Sequence, residues 1–166
     1  MSEFAIRIKN LSKSFNGKKV LNNLSLDIKK GESLVILGGS GSGKSVLLRC
    51  ILGLIKPTTG QIIVNGVETS RNRSVLPKEV MKNIGMLFQG SALFDSLPVW
   101  QNIAFGLVHS MKLPKDEAKK IALKTLSMVG LPQSAADLWP AELSGGMQKR
   151  VSLARAIATS PDILFF

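Results

Sequence analysis

The sequence predicts an α/β fold, with an antiparallel β part, a mostly parallel core sheet and a helical insertion. Three observations predict it. The chain opens on short runs in which apolar and polar residues alternate. Continuous apolar runs follow at 33–37, 84–88 and 163–166, the pattern of strands covered on both faces. Between Pro98 and Trp139 apolar residues recur at three- and four-residue spacing, which is helical.

In order along the chain, Phe4 to Ile8 and Val20 to Ile28 read as the first two strands. Lys30-Gly31-Glu32 turns into Ser33-Leu34-Val35-Ile36-Leu37, expected to be a strand buried on both faces. Glycine-rich sequence and then a helix, Lys44 to Leu52, come next, before Pro57-Thr58-Thr59-Gly60 breaks the chain. Gln61 to Val64 reads as a strand and Asn65-Gly66 as a two-residue hairpin turn. Ile84 to Phe88 is a further buried strand. In the helical stretch Pro114 suits a helix start and Gly130 its C-terminal cap, with Pro132 beyond. A last helix is expected from near Ser144 to before Pro161, and a last strand at Ile163 to Phe166. The division is about 1–97 for the strand-rich core, about 98–142 for the helical part, and about 143–166 for the closing helix and strand.

With 166 residues and 45% hydrophobic composition, the chain can bury a core of its own as one domain. No basic-then-apolar run opens it, so no secretory signal is expected. No stretch reaches the roughly 18 uninterrupted apolar residues of a membrane span. The single cysteine, Cys50, allows no internal disulfide and fits a reducing compartment. The formal charge of +11 admits contact with an anionic partner such as a nucleotide, a nucleic acid or a lipid surface. The plainer reading has Lys9, Lys13, Lys18, Lys19, Lys29 and Lys30 covering the solvated face of strands and turns.

Gly38-Gly39-Ser40-Gly41-Ser42-Gly43-Lys44-Ser45 matches the G-x-x-x-x-G-K-[ST] pattern at every fixed position. Phosphate oxygens must approach the main chain closely there, so glycines stand where a Cβ would clash. Main-chain N–H groups of residues 41 to 45 form an anion nest ending at a helix N-terminus. Lys44 is then expected to bridge the β- and γ-phosphates of ATP, and the Ser45 hydroxyl to hold Mg²⁺.

Leu143-Ser144-Gly145-Gly146-Met147, taken alone, is an N-cap followed by a flexible turn. Beside the phosphate loop it resembles the signature motif of ABC-type ATPases, usually Leu-Ser-Gly-Gly-Gln. Gln89 resembles the family's Q-loop glutamine and Phe15 the aromatic residue that stacks on adenine. Arg150 to Ala158 looks like the signature helix. The resemblance covers essentially the whole chain. It implies the ABC-type P-loop NTPase fold and a cytoplasmic subunit peripheral on the inner face of the membrane. That subunit binds ATP and Mg²⁺, with Ser45 and Gln89 toward the metal, and is partnered by integral-membrane permease subunits. It also implies a head-to-tail dimer in which Ser144, Gly145 and Gly146 of one copy close over nucleotide on the phosphate loop of a second ATPase subunit. No nucleic acid partner is implied.

The segment Gly85-Met86-Leu87-Phe88-Gln89-Gly90-Ser91-Ala92-Leu93-Phe94-Asp95-Ser96-Leu97, with Val99, Asn102 and Met147, is similar to the ATPases of Mla-type and Mce-type lipid transporters. In the family an Asp-Glu pair follows the strand at Ile163 to Phe166, and a histidine lies further on. None of the three stands within these residues, so the expectation is an incomplete chain that binds ATP weakly and turns it over negligibly. Exposed apolar surface and poor solubility are expected with it. His109, in the helical stretch, is expected to be a surface residue. A non-transport ABC protein and a non-functional gene fragment are the competing readings. The stretch between Ser45 and Ser144 shows no sustained heptads, which argues against chromosome-maintenance members.

Overall fold

The computed structural model describes residues 3–70 and 76–166. The chain divides into two compact units, Met1–Met81 and Lys82–Phe166.

In the first unit, β1 (Phe4–Phe15) and β2 (Lys18–Lys29) form a long antiparallel hairpin. Its turn is Asn16-Gly17, with φ of 47° and 80°, the left-handed pair that matches the twist of the flanking strands. β3 (Thr59–Val64) lies on the other side of β1, and β4 (Val67–Glu68) follows through Asn65-Gly66, giving the sheet order β2-β1-β3-β4. Alternation then does what the pleat dictates. Ile6, Ile8, Ile62 and Val64 turn inward and are buried, while Lys9, Asn22 and Lys29 face out. The helix α1 (Lys44–Ile51) buries Leu47, Cys50 and Ile51, and α2 (Lys78–Met81) buries Val80. Five of the six lysines noted above are exposed and Lys13 is half-buried, as the solvated-face reading holds.

One expectation is overturned here. Residues 33–37 form no strand, and Leu34, Val35, Ile36 and Leu37 are 42%, 75%, 46% and 88% exposed. A continuous apolar run has the composition of a doubly covered strand, but a strand is a pairing. The sheet of this unit is made of β1 to β4 and offers this run no ladder.

In the second unit, β5 (Ile84–Met86) and β6 (Ile163–Phe165) pair in parallel, Gly85 opposite Leu164. β5 is shorter than the apolar run. Leu87 still donates its N–H to the Phe165 carbonyl at 2.8 Å, but Phe88 is 47% exposed and outside the strand. Three helices supply most of the core: α3 (Val99–His109), α4 (Lys115–Met128) and α5 (Gly145–Ile157). Val99, Ile103 and Leu107 of α3 meet Ala118, Ala122 and Leu126 of α4, and Val151 and Ala154 of α5. Pro114 precedes α4, and Gly130, with φ of 72°, ends it, as its sequence signals predict. His109 is exposed, its ring against Phe105 at 4.4 Å.

Candidate nucleotide site

The phosphate loop runs from Gly38 into α1. Gly41 and Gly43 have φ of 78° and 94°, a conformation that costs an L-residue roughly 1–2 kcal/mol. Gly43 is also boxed in: a Cβ there would sit 3.0 Å from both the Val20 carbonyl and Leu21 Cδ2. The loop therefore closes onto β2 at the point where the helix begins. Lys44, Ser45 and Val46 form the first turn of α1, so their N–H groups have no acceptor within the helix. Ser42 departs from the expected nest, because its N–H donates to the Gly39 carbonyl at 3.3 Å.

Lys44 folds back across this loop. Its ammonium donates to the Gly38 carbonyl at 2.6 Å, the Gly39 carbonyl at 2.9 Å and Ser42 Oγ at 3.3 Å. The cation is thus centred over a concave main chain. A Cβ at Gly38 would fall 2.6 Å from Ser42 Oγ and 3.9 Å from the ammonium, so only glycine leaves that space open. The first-turn N–H groups of α1, the Lys44 cation and the hydroxyls of Ser40, Ser42 and Ser45 make a donor set suited to a phosphate ester. Phe15 lies at the tip of the hairpin, 42% exposed, with the Lys13 ammonium 4.8 Å above its ring. Lys13 also donates to the Lys56 carbonyl at 2.8 Å.

In the second unit Gln89 is exposed and sits in a turn closed by the Ser91 N–H donating to the Phe88 carbonyl at 3.0 Å. Ser91 and Ala92 follow with φ of 60° and 47°, two consecutive left-handed residues that are not glycine. Sequence reading missed what holds them. Ser152 and Arg155 of α5 donate to their carbonyls, and burial pushes the Arg155 guanidinium below its usual range. Neither residue carries a motif signal beyond the helix in which it lies.

The Leu143–Met147 segment divides in two. Leu143 is buried in the helical core and Met147 is packed against it. Ser144, Gly145 and Gly146 are exposed between them. Ser144 caps α5, its Oγ accepting from the Met147 N–H at 3.3 Å. Gln148 donates back to the Pro140 carbonyl at 3.0 Å, fixing the approach to the cap. Among the described residues no helix is long and apolar enough to cross a membrane, and no cluster of His, Cys, Asp and Glu could hold a metal ion.

Comparison with known proteins bears on the family and the fold. The methionine import ATP-binding protein MetN of Carboxydothermus hydrogenoformans is 46% identical over 162 residues, which is 96% of this chain and 48% of that protein. The intermembrane phospholipid transport system ATP-binding protein MlaF of Haemophilus influenzae is 41% identical over 166 residues, 100% of this chain and 62% of that protein. The glutamine transport ATP-binding protein GlnQ of Escherichia coli is 43% identical over 161 residues, 97% and 66% respectively. The chain thus spans about half to two thirds of these curated relatives. Among solved structures, the dimeric post-hydrolysis state of the ATP-binding cassette MJ0796 bound to ADP and Pi superposes with a TM-score of 0.82 at 34% identity. That match covers 96% of this chain and 72% of the other. A sequence profile of the family described as ABC transporter matches residues 21–166. With the ABC ATPase cassette fold and its phosphate loop in place, the chain belongs to the ABC transporter family.

Proposed function

We propose that this chain is the ATP-binding subunit of an ABC transporter, acting at the cytoplasmic face of a membrane with permease subunits. The observation that carries the reading is the Lys44 ammonium held over the Gly38–Ser42 main chain at the start of α1. The loop N–H groups, Lys44 and Ser45 would hold the phosphates, and Phe15 would take the adenine face. Mg²⁺, when bound, would neutralise phosphate charge; the Ser45 hydroxyl would hold it, and the family resemblance gives Gln89, in the second unit, a role directed to the metal. Equilibrium binding of a fluorescent ATP analogue tests this. Lys44→Ala should weaken binding at least tenfold with the melting temperature kept, and equal affinity for both proteins would sink the reading.

The same proposal includes a head-to-tail pair of subunits. Gly145 and Gly146 support it in a specific way. A Cβ at either position would meet no heavy atom within 4 Å, so packing within this chain does not require glycine there. Glycine costs up to about 1 kcal/mol relative to alanine inside a helix and less in the first turn, where these two stand. An approaching partner surface supplies the missing reason. As transported material we propose lipid, on the residues from Gly85 to Asn102, on Met147, and on the likeness to MlaF along the full chain. Removing the gene should shift phospholipid between the membranes of the cell. An unchanged lipid distribution with impaired uptake of an amino acid would instead favour the class of MetN and GlnQ.

A further inference from the structure

Resting on the reading of Gln89 given above, we propose that Arg155 is a positioning residue. With Ser152 it locks the Ser91–Ala92 turn, and so fixes the direction in which Gln89 leaves the end of β5.

The lock is built on two successive carbonyls. Ser152 Oγ donates to the Ser91 carbonyl at 2.8 Å, and Arg155 Nη2 donates to the same oxygen at 2.9 Å. Arg155 Nη1 donates to the Ala92 carbonyl at 2.7 Å. An extended chain turns successive carbonyls to opposite sides. The left-handed pair turns both toward α5, where the planar guanidinium spans them with a fork that needs little ordering. Among the described residues no carboxylate pairs with Arg155; its other neighbour is the Phe94 ring, 5.7 Å from the guanidinium carbon. A half-buried cation that engages only main-chain oxygens and a ring face is placed to hold backbone.

Gln89 is framed by that hold. On one side the Leu87 N–H is tied to the Phe165 carbonyl. On the other, the Ser91 N–H closes the turn onto Phe88, and the Ser91 carbonyl is the doubly bonded one. Phe88, Gln89 and Gly90 lie between Leu87 and Ser91, and the Phe88 carbonyl is itself held by the Ser91 N–H. Since Gln89 itself is exposed, its main-chain frame sets where the amide points.

The test uses the full-length protein carrying Arg155→Ala, Arg155→Lys or Ser152→Ala, with two readouts. One is hydrogen exchange of the amides from 89 to 93, which needs no nucleotide. The other is affinity for a fluorescent ATP analogue with and without Mg²⁺. Arg155→Ala should speed exchange there at least tenfold and leave the amides of β1 and β2 unchanged. It should also shrink the Mg²⁺-dependent gain in affinity severalfold while Mg²⁺-free affinity stays. Arg155→Lys should recover part of both effects, because an ammonium reaches one of the two carbonyls. Unchanged exchange from 89 to 93 overturns the lock. Faster exchange with an intact Mg²⁺ gain overturns the positioning role and leaves Arg155 structural. Should Arg155→Ala fail to fold, the other two variants decide by the same criteria. A wild-type protein with no affinity for nucleotide would instead refute the ATP-binding reading, and exchange would still decide the lock.

Discussion

Asn102 grips Phe94 at both main-chain ends: the Phe94 N–H donates to Asn102 Oδ1 at 2.8 Å, and Asn102 Nδ2 donates to the Phe94 carbonyl at 3.1 Å. The same Nδ2 donates to the Leu97 carbonyl at 2.8 Å, so one fully buried amide shapes the segment that enters α3.

Replacing Asn102 with leucine keeps the volume and removes every one of these bonds. Three main-chain groups lose their partner, and because they are only partly buried each costs near the low end of about 1–3 kcal/mol, so a loss of roughly 2–4 kcal/mol is expected. Urea unfolding followed by tryptophan fluorescence measures it through Trp100 and Trp139. A midpoint equal to wild type would show that solvent replaces the amide.

Two glycines of the phosphate loop should separate sharply. Gly43→Ala meets both a left-handed φ of 94° and contacts at 3.0 Å, and should destabilise the first unit by about 2 kcal/mol or more. Gly39→Ala meets nothing within 4 Å and should leave the melting temperature within a degree or two. Circular dichroism melts of the two variants side by side check the contrast.

Ser144 has an inward duty and an outward one, and two substitutions tell them apart. Ser144→Ala should cost about 1 kcal/mol through the lost cap. Ser144→Asp keeps an acceptor for the Met147 N–H and should hold stability, while its charge faces outward where a second subunit's nucleotide would lie. ATP-dependent dimer measured by sedimentation should vanish in the aspartate variant alone. A dimer that survives there would count against the trans arrangement.

Burial raises the Cys50 thiol above its ordinary value of 9.0, with the Lys13 charge opposing the shift. The folded state then holds the thiol proton to higher pH than the unfolded chain does. Stability is therefore unaffected below the ordinary value and falls as pH climbs from there through the raised one. A pH series of unfolding midpoints checks the sign, and thiol alkylation at pH 8 should be slow until denaturant is added.

What sequence made legible follows from range. The phosphate loop, the caps of α4 and α5 and the Asn65-Gly66 turn are local chemistry, readable from spacing within a few residues. Asn16-Gly17 carries the same turn signal, but the apolar alternation that marks the second strand begins only at Val20, two residues past the strand's start at Lys18. Gln89 could be placed, but its holders could not. Ser152 stands 61 residues from Ser91, and Arg155 stands 64 residues from it. No local pattern announces a contact made across that distance. The run from Leu34 to Leu37 failed for the complementary reason: its composition describes a covered strand, and composition does not name the cover.

The edges of the four-stranded sheet bear on how copies of the chain meet one another. β4 is only two residues long, and β2 presents Lys18, Lys19, Asn22 and Lys29 with a kink at Asn23, whose φ is 50°. Short length, like charge and a kinked backbone are all poor templates for a further strand. Stickiness in this protein is thereby moved off its best-formed sheet and onto the uncovered run from Leu34 to Leu37, next to the phosphate loop. Clumping and loss of nucleotide affinity should therefore arrive together, and mild detergent should relieve both at once.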